Sequence, residues 1–171
     1  MKNFNELAGH SKIWIYQTNR PLTDEEVARI KNTTTMFISQ WQSHGADMDA
    51  ACELFLNRFI VVGLDETSAG ASGCGIDKLF NHMKRMEAEF QISLYDRLNV
   101  YYMNLDAPIS FPEIKSDHIK QTHISTINES EIDATSYFFD NTILTKKDIM
   151  KAWVRPVNET WLMNYLDKQK V

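Results

Sequence analysis

The chain has 171 residues, of which 43% are hydrophobic, 11% aromatic and 24% charged, the proportions of one globular domain with a sizeable core. Eighteen basic against 23 acidic residues leave a net charge of −5, which opposes general nucleic-acid binding, and no run of lysines and arginines supplies a basic patch. Cys52 and Cys74 are too few for a disulfide framework or a four-thiolate zinc site.

Residues 1–10 include Lys2, Asn3, Asn5, Glu6 and His10 and lack the apolar core of a secretion signal. The longest apolar stretch, 59–62 continued through Gly63 to Leu64, is far short of a membrane span. A cytoplasmic protein that does not engage membranes is expected, and the Asn-x-Ser/Thr triplets at Asn32, Asn128 and Asn158 are then chance matches. Segment 12–17 (KIWIYQ) alternates as a strand, with Ile13 and Ile15 on one face and Trp14 and Tyr16 on the other. Thr23 and Glu26 form a capping box, after which Val27, Ile30, Thr34, Phe37, Ile38 and Trp41 recur at helical spacing until Gly45, following His44, stops the helix. Residues 50–66 predict a hairpin turning at Asn57-Arg58. Its first strand, 51–56, carries Glu53 between apolar neighbours as an edge strand does, whereas 59–64 (FIVVGL) is suited to burial on both faces.

The small-residue loop 67–75 (TSAGASGCG) leads to a second helix. Ile76, Leu79, Phe80, Met83, Met86 and Phe90 form its apolar stripe, opposed by Lys78, Lys84, Arg85, Glu87 and Glu89. A fourth strand is predicted at 98–103. Over residues 11–104 the order strand, helix, strand, strand, helix, strand predicts an α+β fold with a ferredoxin-like βαββαβ core: an antiparallel sheet, its first and third strands central, with two helices on one face. The rest, 105–171, is expected to dock on that core within a single domain as a mostly helical or irregular extension. In it 107–132 is mainly loop with a short helix at 116–121. A short strand falls at 137–139, Thr145 begins a helix to Trp153, and Trp161, Leu162 and Tyr165 mark a last helix.

Chemistry is concentrated in residues 65–77 (DETSAGASGCGID), between a buried strand and a helix N-terminus. Backbone amides around Ser72, Gly73, Gly75 and Ile76 could hold a small anionic ligand or an oxyanion, and the same position favours a nucleophilic thiolate at Cys74. Asp65, Glu66 and Asp77 oppose both roles. The plainer reading is a tight turn with a small thiol packed under the helix end. In the expected topology His10, His44, Cys74, Asn104 and Asp106 gather at one end of the sheet, which makes His44 the candidate base for Cys74. His118 and His123 lack a third ligand, and no His-Glu-x-x-His, CxxC or EF-hand pattern occurs, so neither a metal nor another cofactor is expected. The Phe80, Met83, Met86 and Phe90 stripe is core packing. Trp14, Tyr16, Tyr101 and Tyr102 could stack on a ligand, but the acidic balance and the lack of an RNP-like string oppose RNA.

Taken together, KIWIYQ, FISQWQSHG, NRFIVVGLDE and ASGCGID resemble a family of small bacterial proteins, mostly from Bacteroidetes, often labelled "ABC transporter ATPase". The resemblance covers residues 11–104 and, less closely, the Trp153 to Trp161 region, and it brings no catalytic residues with it. The label itself conflicts with the chain. An ATPase of that kind needs Gly-x-x-x-x-Gly-Lys-Ser/Thr, whereas Gly70 to Gly75 is followed by Ile76 and Asp77 where the lysine and hydroxyl belong. Two readings stand. The first is a non-enzymatic interaction or small-ligand domain, binding a partner protein, a small anion, or itself as a homodimer by analogy with the fold. The second is a thiol-dependent enzyme using Cys74 and His44.

Overall fold

Thr23 accepts a hydrogen bond from the Glu26 amide (3.2 Å) and the Glu26 carboxylate accepts one from the Thr23 amide (2.9 Å), so the first long helix starts where its capping box predicts. The computed structural model describes residues 2–43, 45–67, 70–105, 111–127 and 131–168. The chain divides into two units, one of Met1–Asp96 with Leu144–Lys147 and one of Arg97–Ile143 with Asp148–Val171. The coarse expectation of an α+β fold with antiparallel sheets holds.

The first unit contains β1 (Lys12–Gln17), α1 (Asp24–Ser39), β2 (Gln42–Ser43), β3 (Ala46–Asp47), β4 (Asp49–Phe55), β5 (Phe59–Asp65) and α2 (Gly73–Phe90). β1, β5 and β4 form an antiparallel sheet in that order, with Ile13 opposite Gly63 and Gly63 opposite Ala51. All seven residues of β5 are buried, as its unbroken apolar run predicts. One sheet face packs through Tyr16, Ala50, Cys52, Ile60, Val62 and Leu64 against Ile30 and Ile38 of α1 and Leu79, Met83 and Met86 of α2. Arg20 joins the two helices, forking onto Glu26 (2.9 and 2.7 Å) at the start of α1 and donating to the carbonyl of Phe90 (3.0 Å) at the end of α2. On the other face Gly63 leaves room for Leu7 and Phe4. A Cβ there would lie 2.6 Å from Leu7 Cδ1 and 3.1 Å from Phe4 Cε2.

Several local expectations are corrected. α1 ends at Ser39 rather than running through Trp41, because the Trp41 indole turns inward to donate to the carbonyl of Gly75 (2.9 Å). Gly45, at φ +80°, does not stop the helix but serves the turn between β2 and β3. Leu56 and Asn57, rather than Asn57 and Arg58, take the left-handed conformations of the hairpin turn (φ 57° and 53°). On α2 the stripe passes through His82, while Phe80 is 44% exposed and packs on Tyr95 at 4.9 Å.

The ferredoxin-like order is not what forms. β6 (Asn99–Met103), expected at an edge beside β1, instead lies inside a second antiparallel sheet. That sheet has the order β7 (Lys120–His123), β6, β8 (Tyr137–Phe139), β9 (Val154–Pro156). Val100, Tyr101, Tyr102 and Met103 are all buried, so both faces of this strand are covered, while β7 and β8 pair with its two edges. The free edge of β1 is covered by the returning segment 144–147, where the Ile13 amide donates to Leu144 O (3.0 Å) and the Lys146 amide to Ser11 O (2.9 Å).

The C-terminal third is mostly helical or irregular over its described residues, as expected, but three short strands within it, β7, β8 and β9, complete the second sheet. In the second unit Val100, Tyr102, Ile124, Ile132 and Phe138 pack with Val157, and with Leu162 and Leu166 of the last helix. α3 (Lys146–Lys151) is shorter than expected, and the last helix, α4, spans Trp161–Lys168. Residues 116–118 form a single 3-10 turn where a helix to 121 is predicted. Trp153 is fully buried between Phe139 and Phe111 and donates to Asn141 Oδ1 (2.8 Å).

Gly63→Val is expected to cost about 1–3 kcal/mol by overpacking. A lowered denaturant midpoint and faster proteolysis within residues 2–7 would check this. Gly73→Ala, whose added carbon meets nothing within 4 Å, serves as the near-neutral control.

Candidate functional site

Most of the loop before α2 is occupied with holding itself in place. Ser72 caps the helix by accepting from the Gly75 amide (3.2 Å). Ser43 of β2 donates to Ser72 Oγ (2.9 Å) and accepts from the Ser72 amide (3.2 Å). The Ile76 amide bonds to Ser72 O (3.0 Å), the Ala71 amide to Glu66 Oε1 (3.2 Å), and Lys78 Nζ reaches Gln42 O (3.3 Å). Of the amides considered for an anion, those of Ser72, Gly75 and Ile76 thus have internal partners, while Gly73 is exposed on the first turn. Cys74 is an exposed free thiol on that turn.

His44, the candidate base, lies outside the described residues, as do Ser68, Ala69 and Asp106. The other histidines have their own partners. His10 Nε2 is 3.2 Å from Thr67 Oγ1 and 3.6 Å from Asp65 Oδ1, so the expected gathering brings His10 to the start of the loop. Hydrogen bonds from the Thr67 hydroxyl (2.5 Å) and amide (3.0 Å), aided by His10, hold the Asp65 carboxyl below its ordinary range. His118 is 3.9 Å from Asp117, and His123 Nδ1 is 2.6 Å from Ser125 Oγ. Asn104 belongs to the second unit, where it accepts from Ser136 Oγ (2.7 Å) and donates to Glu131 O (2.9 Å). Among the described residues no three His, Cys, Asp or Glu side chains form a group able to hold a metal ion, and no helix is long and apolar enough to cross a membrane.

A cleft of about 230 Å³ opens elsewhere in the first unit, along the outer edge of β4. Its floor is Ala51, Cys52 and Glu53. One wall is Lys31, Thr35 and Ile38 of α1, and the other is Lys2, Asn3 and Phe4 of the N-terminal segment. Lys31 reaches around the strand edge to Glu53 (2.6 Å), and Lys2 pairs with Asp49. The Leu54 amide points away from β5, since it donates to Glu53 Oε1 (3.1 Å), and the Ala50 amide donates to Met48 O (3.0 Å). By the two-residue period of a strand, the N–H and C=O of Cys52 face the same outer edge. The Cys52 side chain points the other way, into the core, and burial pushes its thiol up to about 12. Three separate segments of the chain meet at this cleft, so no local motif marks it.

His82 is a second feature that sequence reasoning missed. It is buried between the helices, with Nε2 3.1 Å from Thr34 Oγ1 and its ring stacked on Phe37 at 4.4 Å. Burial, with Arg85 adding to it, lowers its pKa from 6.5 to about 4. The spacing Leu79, His82, Met86 lies on the apolar stripe, and that was the available signal.

Comparison of the chain with family models, with curated proteins and with solved structures finds no match.

The neutral imidazole makes a pH prediction. The unfolded chain binds a proton at His82 near pH 6.5 and the folded chain only near 4. Stability is therefore retained above 6.5 and falls as pH drops toward 4, by about 2–3 kcal/mol. His82→Gln should flatten that limb in urea melts run across this range. The loss further down remains, because Glu26, lowered to about 2 by Arg20 and the Thr23 amide, and Asp65, also lowered, release their share there.

Proposed function

We propose that the protein is a non-enzymatic binding module that takes an extended segment of a partner along the outer edge of β4. The observation that supports this is the placement, in a cleft between a helix and the N-terminal segment, of a sheet edge that pairs with no further strand among the described residues. In strand addition, main-chain hydrogen bonds to an exposed edge supply affinity, and flanking side chains supply selectivity. Here the floor offers the backbone groups of Cys52 while α1 and residues 2–4 form the flanks. Peptides selected from a random ten-residue library should shift the amide resonances of Cys52 and Glu53 in the labelled full chain and leave those of Cys74 and Ile76 in place. Absence of selection, or shifts that map elsewhere, overturns the reading.

The exposure of Cys74 on the first turn of α2 favours a second reading, a thiol-dependent enzyme with His44 as base. Alkylation separates the two. For a binding module the alkylation rate of Cys74 should be the same in His44→Ala as in the unchanged chain. Cys52, buried with its pKa pushed up to about 12, should react only after unfolding. Slowing of Cys74 alkylation in His44→Ala would make the enzyme the better reading.

A further inference from the structure

We propose that residues 2–7 and 144–147 are two halves of one latch, joined by the Lys146 ammonium, which leave the first sheet together in a single local opening. Both segments belong to the first unit, although they are remote in sequence, and they cover different parts of the sheet. Residues 144–147 close the edge of β1 through Leu144 O and the Lys146 amide, with Thr145 opposite Lys12. The Lys147 amide adds a bond to Gly9 O (2.9 Å). Residues 2–7 cover the face around Gly63 with Phe4 and Leu7, each only 3% exposed. Phe4 also meets Phe55 of β4 edge-on at 5.8 Å.

Lys146 connects the two. Its Nζ donates to Asn5 O (2.7 Å) and to Leu7 O, and lies 5.8 Å from the centre of the Phe4 ring. The two carbonyls sit at the end of the 3-10 turn Phe4–Glu6, where main-chain acceptors lack donors from their own turn and a lysine can supply them. The other end of this segment is held by the Lys2–Asp49 pair, whose side chains are 46% and 29% exposed; exposed pairs hold weakly. When residues 144–147 detach, Lys146 goes with them and the turn loses its donor. When the turn lifts, the ammonium loses both carbonyls and the ring. Such a coupling acts equally in both directions. One opening then uncovers the edge of β1, the face around Gly63 and the cleft wall of Lys2, Asn3 and Phe4. The β1 side of the sheet thereby decides whether the cleft along β4 keeps that wall, whatever the cleft holds.

Native-state hydrogen exchange of the labelled full chain tests this. The amides of Leu7, Ile13 and Lys146 should share one opening free energy and one denaturant dependence, below the protection of the β5 amides. Lys146→Met keeps the main chain of residue 146 but removes the ammonium. It should speed exchange of the Glu6 and Leu7 amides at least about tenfold, the scale of one hydrogen bond to a charged group. In the reverse direction, Asn3→Ala breaks the capping box of the N-terminal turn. It should speed the Ile13 and Lys146 amides by the same factor as the Leu7 amide. Separate opening free energies for Leu7 and Ile13 overturn the latch. So does unchanged exchange at Glu6 and Leu7 in Lys146→Met, or at Ile13 and Lys146 in Asn3→Ala. Where Lys146→Met also deprotects β5, the Asn3→Ala variant decides alone.

Discussion

The first unit is organised around one constraint: β5 is buried along its whole length. Seven residues with no side chain at the surface need a strand on each edge and cover on each face. β1 and β4 provide the edges, α1 and α2 one face, and Phe4 with Leu7 part of the other. Gly63 lets that last layer approach closely, since any side chain there would occupy the space Leu7 fills. The cleft is a by-product of the same arrangement. Each of the two covering layers overhangs β4, and beyond β4 no further strand is present among the described residues to fill the gap between them.

What the sequence revealed was local. The Thr23–Glu26 box, the apolar run of β5 and most of the α2 stripe are signals within a few residues of one another, and each forms as expected. The fourth strand shows where local signals end. Val100 to Met103 were recognisable as a strand, but nothing in them says which sheet they join. Their partners include Lys120 to His123, a polar segment with no strand-like alternation, and Tyr137 and Phe138, more than thirty residues away. The edge of β1 was closed by residues 144–147, equally remote. His82 was hidden for a different reason. A titratable residue on an apolar stripe looks like an interruption until Thr34 and Phe37 from another helix are seen to accommodate it.

The loop before α2 drew attention because small residues at a helix start suit an anion. The contacts made by Ser43, Ser72 and Glu66 give much of that composition a structural use. A related economy recurs in the Asp-x-Thr triplets at Asp65, Asp133 and Asp140. In each, one carboxylate oxygen accepts from both the amide and the hydroxyl of the threonine two residues on. Asp65 closes β5, and Asp133 and Asp140 flank β8. These carboxylates act as local punctuation, turning the chain where strands begin or end.

The return of residues 144–147 to the first unit has a consequence for biosynthesis. The chain leaves that unit after Asp96 and comes back at Leu144. On a ribosome, which delivers the chain from its N-terminus, β1, β5 and β4 can pair early, yet the outer side of β1 waits for Leu144, Thr145 and Lys146. During that interval the nascent sheet exposes the backbone of β1 as well as that of β4, whereas among the described residues the folded β1–β5–β4 sheet leaves only the β4 edge without a neighbouring strand or segment. A chaperone or a neighbouring nascent chain would meet a stickier intermediate than the mature fold, and its lifetime includes the time needed to translate the residues between Asp65, where β5 ends, and Lys146.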